Sequence, residues 1–200
     1  MKLLVFSDIH SDLRALEKLM AIEADYYFAA GDLVSWARGL DKAGPILAKR
    51  AGRVWVLSGN HESPASITAF CAQYGLEDFH GKTLRIGDWN VAGLGCSAPT
   101  PFNTPGEYGE SEFRERLAPF AGLSPLILIC HSPPHNSRLD CAGPGQHFGS
   151  HAIGEFIQAE QPAWFFCGHI HEAEGVKETF GATSGVNVGK RGYLLDLATV

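Results

Sequence analysis

Short apolar runs separated by polar segments give this chain its most regular pattern. Five runs of four or five residues consist of apolar side chains, at 3–6, 26–30, 54–57, 126–130 and 164–167. Continuous apolar runs of this length are typical of strands that are buried on both faces. The pattern therefore predicts five buried strands.

Three segments between these runs have the periodicity or the capping residues of helices. Residues 12–22 are predicted to form a helix whose apolar face consists of Leu13, Leu16, Leu19 and Met20. A second helix is predicted to begin at Ser63 and Pro64, an N-cap followed by a proline at the first helical position. Ser150 predicts a third N-cap, before a buried stripe of Ala152, Ile153, Phe156 and Ile157.

Shorter apolar segments predict further strands. Residues 83–86 and 90–94 flank a Gly-Asp pair and predict a hairpin. A closing antiparallel set is predicted near the end, at 176–180, 185–188 and 193–197. Because βαβ crossovers alternate with hairpins, we expect an α/β fold of the αββα sandwich type. Its two mixed sheets would pack face to face with helices outside, and residues 1–200 would form a single domain.

Two long segments are too rich in glycine, proline and polar residues for regular structure, 98–109 and 132–149. Long loops in a compact domain are usually functional. Both loops are predicted to form the rim of a crevice and to select the substrate. Three residues are candidates for contacts with the substrate at this rim: Arg38, His135 and Arg138.

Polar residues that can bind metals follow the apolar runs. They are Asp8, His10, Asp32, Asn60, His131, His169 and His171. In layered α/β folds the carboxyl ends of the strands face one crevice, where ligands bind. A single histidine after a strand is more often an ordinary surface or core residue, and Gly-Asp and Gly-Asn pairs are common in turns. The ordered set of patches predicts a metal site.

The predicted ligands divide into two groups. Asp8 and His10 share one turn and can bind the same cation, together with His171. A second cation would bind Asn60, His131 and His169, and the carboxylate of Asp32 could bridge the two. Mixed nitrogen and oxygen ligation suits first-row metals such as Mn, Fe, Co, Ni or Zn.

The motifs resemble those of the calcineurin-like metallophosphoesterase superfamily, in which D-x-H, G-D, G-N-H-[DE], H and G-H-x-H occur in this order. Here they lie at 8–10, 31–32, 59–62, 131 and 168–171. Residues 186–189 are similar to the closing V-N-P-G of that family, with Val188 in place of the proline. The segment from 149 to 172 looks like the small phosphodiesterase branch.

The resemblance implies a binuclear metal-dependent phosphoesterase. Two divalent cations about 3.5 to 4 Å apart would share a bridging hydroxide, which attacks phosphorus in line. The implied catalytic residues are Asp32, Asn60 and His61. His61 is spare in the ligand count, so we expect it to assist the leaving group, with Glu62 orienting it.

Charge and composition narrow the class of partner. The formal net charge is −6, and we find no basic stripe, so a nucleic-acid partner is disfavoured and a small phosphoester is expected. No apolar run approaches the roughly eighteen residues of a membrane span, which favours a cytoplasmic protein with no membrane partner. The five cysteines form no CxxC pair. Some members of the family are dimers, so a homodimer is possible.

Three functions are compatible with the motifs. The first choice is a phosphodiesterase, because there is no large inserted cap over the crevice. The alternative within the enzyme class is a phosphomonoesterase or phosphoprotein phosphatase, for which an arginine near Asn60 is expected, and none is present. The alternative from another class is a catalytically silent scaffold, which predicts missing ligands. Here every ligand position is filled.

Overall fold

Two β-sheets stacked face to face form the centre of the molecule, in a computed structural model that describes residues 1–198. The strands are β1 (Lys2–Phe6), β2 (Tyr26–Ala30), β3 (Val54–Leu57), β4 (Glu77–Asp78), β5 (Lys82–Ile86), β6 (Trp89–Leu94), β7 (Leu126–Cys130), β8 (Cys141–Gly143), β9 (Gln146–His147), β10 (Trp164–Cys167), β11 (Lys177–Phe180), β12 (Thr183–Asn187) and β13 (Tyr193–Asp196). The helices are α1 (Leu13–Ala21), α2 (Leu40–Leu47), α3 (Pro64–Tyr74), α4 (Glu110–Leu117) and α5 (His151–Glu160). The five buried strands predicted from the apolar runs are all present.

Both sheets combine parallel and antiparallel strands. The first sheet has the order β13-β1-β2-β3-β4, in which β1 to β4 are parallel and β13 is antiparallel to β1. The second sheet has the order β11-β12-β10-β7-β6-β5. Its four inner strands are parallel, and the edge strands β5 and β11 form antiparallel hairpins with β6 and β12.

Alternate residues of each strand separate the molecule into layers. In β1, Leu4 and Phe6 pack in one core cluster with residues of α1, α2 and α3. Leu3 and Val5, which point to the opposite face, pack against residues of the second sheet such as Phe166. The far face of the second sheet packs against α4 and α5. The predicted αββα sandwich is confirmed.

The starts of α3 and α5 follow the predicted caps Ser63 and Ser150, and the structure adds Asp12 as the cap of α1. The Asp12 side chain accepts a hydrogen bond from Ala15 N at the start of α1. Ser63 caps α3 with Pro64 in its first turn, and Ser150 caps α5 by accepting from Ile153 N. Each cap satisfies a backbone N–H that has no partner within the helix. These helices pack beside the strand ends that carry the polar patches.

The structure corrects the predicted strand set near the end of the chain. β11 and β12 form a hairpin, but β13 crosses to the first sheet and pairs with β1, from Lys2 opposite Asp196 to Val5 opposite Tyr193. The loop 132–149 also contains a small hairpin of β8 and β9, whereas 98–109 has no helix or strand, as predicted. Sheet membership depends on contacts across the molecule, which a local apolar pattern does not contain.

Two helices lacked a clear sequence signal. α2 contains Gly44 and Pro45, which are unfavourable inside helices, and α4 is so highly charged that Phe113 and Leu117 are its only buried residues. Of the helices in residues 1–198, none has the length and apolar character needed to span a bilayer.

Candidate metal centre

The polar patches converge at the carboxyl ends of β1, β2, β3, β7 and β10. Several of their residues have left-handed backbone conformations, which residues other than glycine rarely adopt. The φ angles of Asp8, His10, Asp32 and His169 are 56°, 44°, 51° and 69°. A left-handed residue other than glycine costs about 1–3 kcal/mol and is typical of functional sites. The strain therefore coincides with the predicted ligands.

The first group of donors consists of Asp8, His10 and His171, whose ligand atoms lie within 4.8 Å of one another. The Nε2 atoms of His10 and His171 are 2.9 Å apart, and His171 Nε2 lies 3.5 Å from Asp8 Oδ1. Asp8 is buried, and its carboxylate accepts a hydrogen bond from His169 N. The backbone of the last patch thus fixes the carboxylate of the first.

The second group consists of Asp32, His131 and His169, again with ligand atoms within 4.8 Å of one another. Asn60 completes it, because Asn60 Oδ1 lies 3.1 Å from His131 Nε2 and 3.0 Å from His169 Nδ1. His131 is fully buried, and its Nδ1 donates a 2.9 Å hydrogen bond to Ala30 O. This bond directs Nε2 towards the other donors.

Asp32 lies between the two groups. Its Oδ2 is 3.6 Å from His10 Nε2 and 3.4 Å from His131 Nε2, and its Oδ1 accepts from His61 N at 2.9 Å. Only glycine fits beside it at position 59, because a Cβ there would overlap the Asp32 carboxylate. The conformation of Asp32 is therefore determined by packing on several sides.

The pKa values of the second group reflect burial and close charges. Burial raises the pKa of Asp32, but the charge and hydrogen bond of His131 outweigh it and leave the pKa well below its usual range. Burial lowers the pKa of His131, but the charge of Asp32 outweighs it and raises the pKa to about 9. For His169, burial and the charge of His131 lower the pKa to about 4.

The donor set fits divalent cations. Because His131 Nδ1 donates to Ala30, His131 Nε2 is the ring atom left to bind a cation, and the Asp32 and Asn60 oxygens converge on it. A divalent cation bound to these three side chains would supply positive charge beside the buried Asp32 carboxylate. Imidazole, carboxylate and amide donors without a thiolate suit first-row metals.

Glu62 has a different place from the one expected. It does not orient His61 but accepts hydrogen bonds from the backbone N–H groups of Asp32 at 3.1 Å, Val34 at 2.9 Å and Gly59 at 3.2 Å. Glu62 is fully buried. Burial and the charge of Asp32 raise the pKa of Glu62 to about 8. Its side chain ties the loop after β2 to the loop after β3.

His61 lies beside both groups. Its ring centroid is 5.1 Å from that of His10, in an edge-on arrangement, and His61 can also form a donor group with His10 and Asp32. His61 Nδ1 accepts a hydrogen bond of 3.3 Å from Trp36 N. In the neutral ring the proton is therefore on Nε2.

Two side chains outside the five metal-binding motifs, Thr104 and Asn187, support the ligands. Asn60 Nδ2 donates to Thr104 Oγ1 at 3.1 Å, and the Thr104 hydroxyl donates to Glu107. This fixes the amide of Asn60 with its oxygen towards the histidines. Asn187 Nδ2 contacts the carbonyl oxygens of Gly168 at 3.1 Å and Ile170 at 3.0 Å, in the turn that carries His169 and His171. Thr104 has no signal in the sequence, because it lies in an irregular loop.

A cavity of about 340 Å³ opens over this centre. Of the predicted ligands and catalytic residues, its wall contains His10, Asp32, Asn60, His61, His169 and His171, whereas Asp8 and His131 lie buried behind them. The structure does not bring the three predicted rim residues to this wall. Arg38 is exposed and its N–H donates to Ser35 O at 3.1 Å, His135 packs against His151 with ring centroids 4.0 Å apart, and Arg138 N donates to Glu178. Phe102 and Phe148 line the cavity instead.

The hydrogen bond to Thr104 predicts an effect on metal affinity. The substitution Thr104→Val keeps the shape but removes the acceptor for Asn60, and we expect it to weaken Mn²⁺ binding by about 10- to 100-fold in a calorimetric titration. Thr100→Val is the matched control, because Thr100 also donates to Glu107 but does not contact Asn60. Equal weakening in both variants would contradict the assigned role of Thr104.

Comparisons with known proteins agree with this geometry. The model of the calcineurin-like phosphoesterase family matches residues 1–173. An uncharacterized protein of Methanocaldococcus jannaschii is 29% identical over 205 residues, which cover 98% of this chain and 91% of that protein. The structure of TT1561 from Thermus thermophilus matches with a TM-score of 0.71 at 20% identity, over 94% of this chain and 88% of that one. A structure described as a novel archaeal phosphodiesterase matches with a TM-score of 0.53 at 15% identity, over 100% of this chain and 95% of that one. The chain therefore belongs to the calcineurin-like phosphoesterase family.

Proposed function

We propose that the protein is a binuclear metal-dependent phosphodiesterase. Asp8, His10 and His171 would bind one cation, and Asn60, His131 and His169 the other. The observation that carries the proposal is the position of Asp32, whose Oδ2 lies within 3.6 Å of a histidine from each group. A carboxylate shared in this way is suited to two cations held close together. Mn, Fe, Co, Ni and Zn all suit these donors.

The residues around the centre hold the metal donors in a fixed arrangement for displacement at a phosphoryl group. Bound divalent cations supply an activated water molecule and neutralise charge on the phosphoryl oxygens. Asp32 and Asn60 place the donors on the floor of the cavity, with Glu62 and Thr104 fixing their loops. The strained turns are thereby held in one arrangement before the substrate binds, so little reorganisation is needed.

His61 is the proposed general acid. The backbone N–H of Trp36 occupies Nδ1, so the neutral ring carries its proton on Nε2. His61 lines the cavity, and in the neutral ring Nε2–H can donate a hydrogen bond to the leaving oxygen. As the general acid it would act from the imidazolium, which transfers the Nε2 proton to the leaving oxygen and becomes the neutral ring, with Nδ1 protonated and released from Trp36 N. Proton transfer by a positioned group typically contributes about 10²- to 10⁴-fold to the rate.

A diester is favoured over a monoester by the charges around the cavity. A phosphate monoester carries a second negative charge, which a phosphatase commonly binds with a cationic side chain. Within residues 1–198, the side chains found to line the cavity include neither lysine nor arginine.

The test is hydrolysis of bis-p-nitrophenyl phosphate beside p-nitrophenyl phosphate, with chelator-treated protein before and after each first-row metal is added. We expect metal to restore turnover, with the diester as the better substrate. A preference for the monoester would favour the phosphatase alternative. No turnover of either ester with any metal would overturn the proposal and favour the scaffold.

The substitution His61→Asn separates general acid catalysis from metal binding. We expect kcat for the diester to fall by about 10²- to 10⁴-fold, since the proton donor is lost. Metal content, measured by plasma mass spectrometry on the same preparation, should not change. Loss of metal together with activity would show instead that His61 is a ligand.

A further inference from the structure

Two exposed aromatic rings line the cavity above the metal centre. Phe102 is 70% exposed, more than any other large apolar side chain in the described part of the chain, and Phe148 is 50% exposed. Both belong to the same wall as His61 and the donor histidines. Water-exposed rings beside a catalytic centre offer apolar contact surface to a ligand.

Each ring lies on a loop segment that is anchored by a carboxylate. The residues on both sides of Phe148 bind Asp140, through His147 Nδ1 at 2.7 Å and Gly149 N at 3.0 Å. Asp140 is fully buried. The Glu107 carboxylate accepts from Thr100 Oγ1 at 2.6 Å and Thr104 N at 2.8 Å, which flank Phe102. These hydrogen bonds hold the chain on both sides of each phenylalanine in place before a ligand binds.

Apart from Thr100, the rest of the outer wall of the cavity is apolar or acidic. Pro99, Pro101, Ala142 and Ile170 contribute to it, and Glu172 is its only carboxylate among the described lining residues apart from Asp32. A further phosphate or another anion on the substrate would meet Glu172 without a lysine or arginine to offset it. The group beyond the scissile phosphate is therefore expected to be uncharged.

We propose that the cavity selects phosphodiesters in which one ester group carries a planar, uncharged aromatic ring, such as an aryl group or a nucleobase, in contact with Phe102 and Phe148. This inference rests on the proposed function for the place of the phosphate. Stacking of a base on an aromatic side chain corresponds to about 5- to 140-fold in affinity. Phe102 and Phe148 are thus specificity residues that the family motifs do not include.

The first experiment compares the O-methyl and O-phenyl diesters of S-ethyl phosphorothioic acid, which share ethanethiol as a leaving group, so that only the phenyl diester carries an aromatic ring. The released thiol is measured with a thiol reagent. In the Mn²⁺-loaded protein, Phe102→Ala and Phe148→Ala should each lower kcat/KM for the phenyl diester by about tenfold, and leave the methyl diester nearly unchanged. Phe102→Leu keeps the apolar bulk without the ring and should lose part of the effect. An equal loss for both diesters would overturn the proposal.

The second experiment measures binding without turnover. In calorimetric titrations, the Mn²⁺-loaded protein should bind phenylphosphonate at least about tenfold more tightly than methylphosphonate. The double variant, which carries both Phe102→Ala and Phe148→Ala, should lose this difference. If the preference is found but no diester is hydrolysed, the proposed function fails and the aromatic site stands. If diesters are hydrolysed without any aromatic preference, only the aromatic site fails.

A second copy of the chain is the other occupant that these rings could contact. Sedimentation of the wild type and the double variant distinguishes the two cases. We expect the same oligomeric state for both proteins. A dimer that dissociates in the double variant, with equal binding of the two phosphonates, would assign the rings to a dimer interface and overturn the proposal.

Discussion

The position of one buried carboxylate, that of Asp32, determines how the rest of the site is arranged. Asp32 lies on a left-handed turn after β2, with its side chain 2% exposed and its oxygens facing histidines from two other loops. An isolated buried charge is strongly unfavourable. It is tolerated here because His61 N donates to Oδ1, His131 Nε2 lies 3.4 Å from Oδ2 and Glu62 binds the backbone of Asp32. A pair of shared cations would offset the same cost.

The support for this carboxylate extends from the strands to the outer loops. Glu62 links the turns after β2 and β3, and Thr104 links Asn60 to the loop that carries Phe102. The turn after β10 is linked to the turn after β1, because the backbone N–H of His169 donates to the Asp8 carboxylate. The loop proposed to contact the substrate and the loops that carry the candidate metal donors therefore share hydrogen bonds. A substitution in one of these loops is therefore expected to alter the position of the other.

Features that depend on local sequence could be predicted, and features that depend on distant contacts could not. The runs that form β2, β3, β7 and β10 end where the strands end, because a buried strand is apolar along its whole length. The metal donors follow from motifs at those ends. Neither the pairing of β13 with β1 nor the contact between Thr104 and Asn60 has a local signal. Charge and polarity predict Arg38, His135 and Arg138 at the rim, whereas the side chains that line the cavity beside the metal donors include Phe102 and Phe148.

The most direct test of the account is the metal content of three proteins after dialysis against Mn²⁺: the wild type, Asp8→Asn and Asp32→Asn. Circular dichroism would establish that all three are folded. If Asp32 is shared, the wild type should bind about two ions per chain, Asp8→Asn about one, and Asp32→Asn fewer than either. A wild type with a single ion, or an Asp32→Asn variant that binds as much metal as Asp8→Asn, would contradict the shared carboxylate.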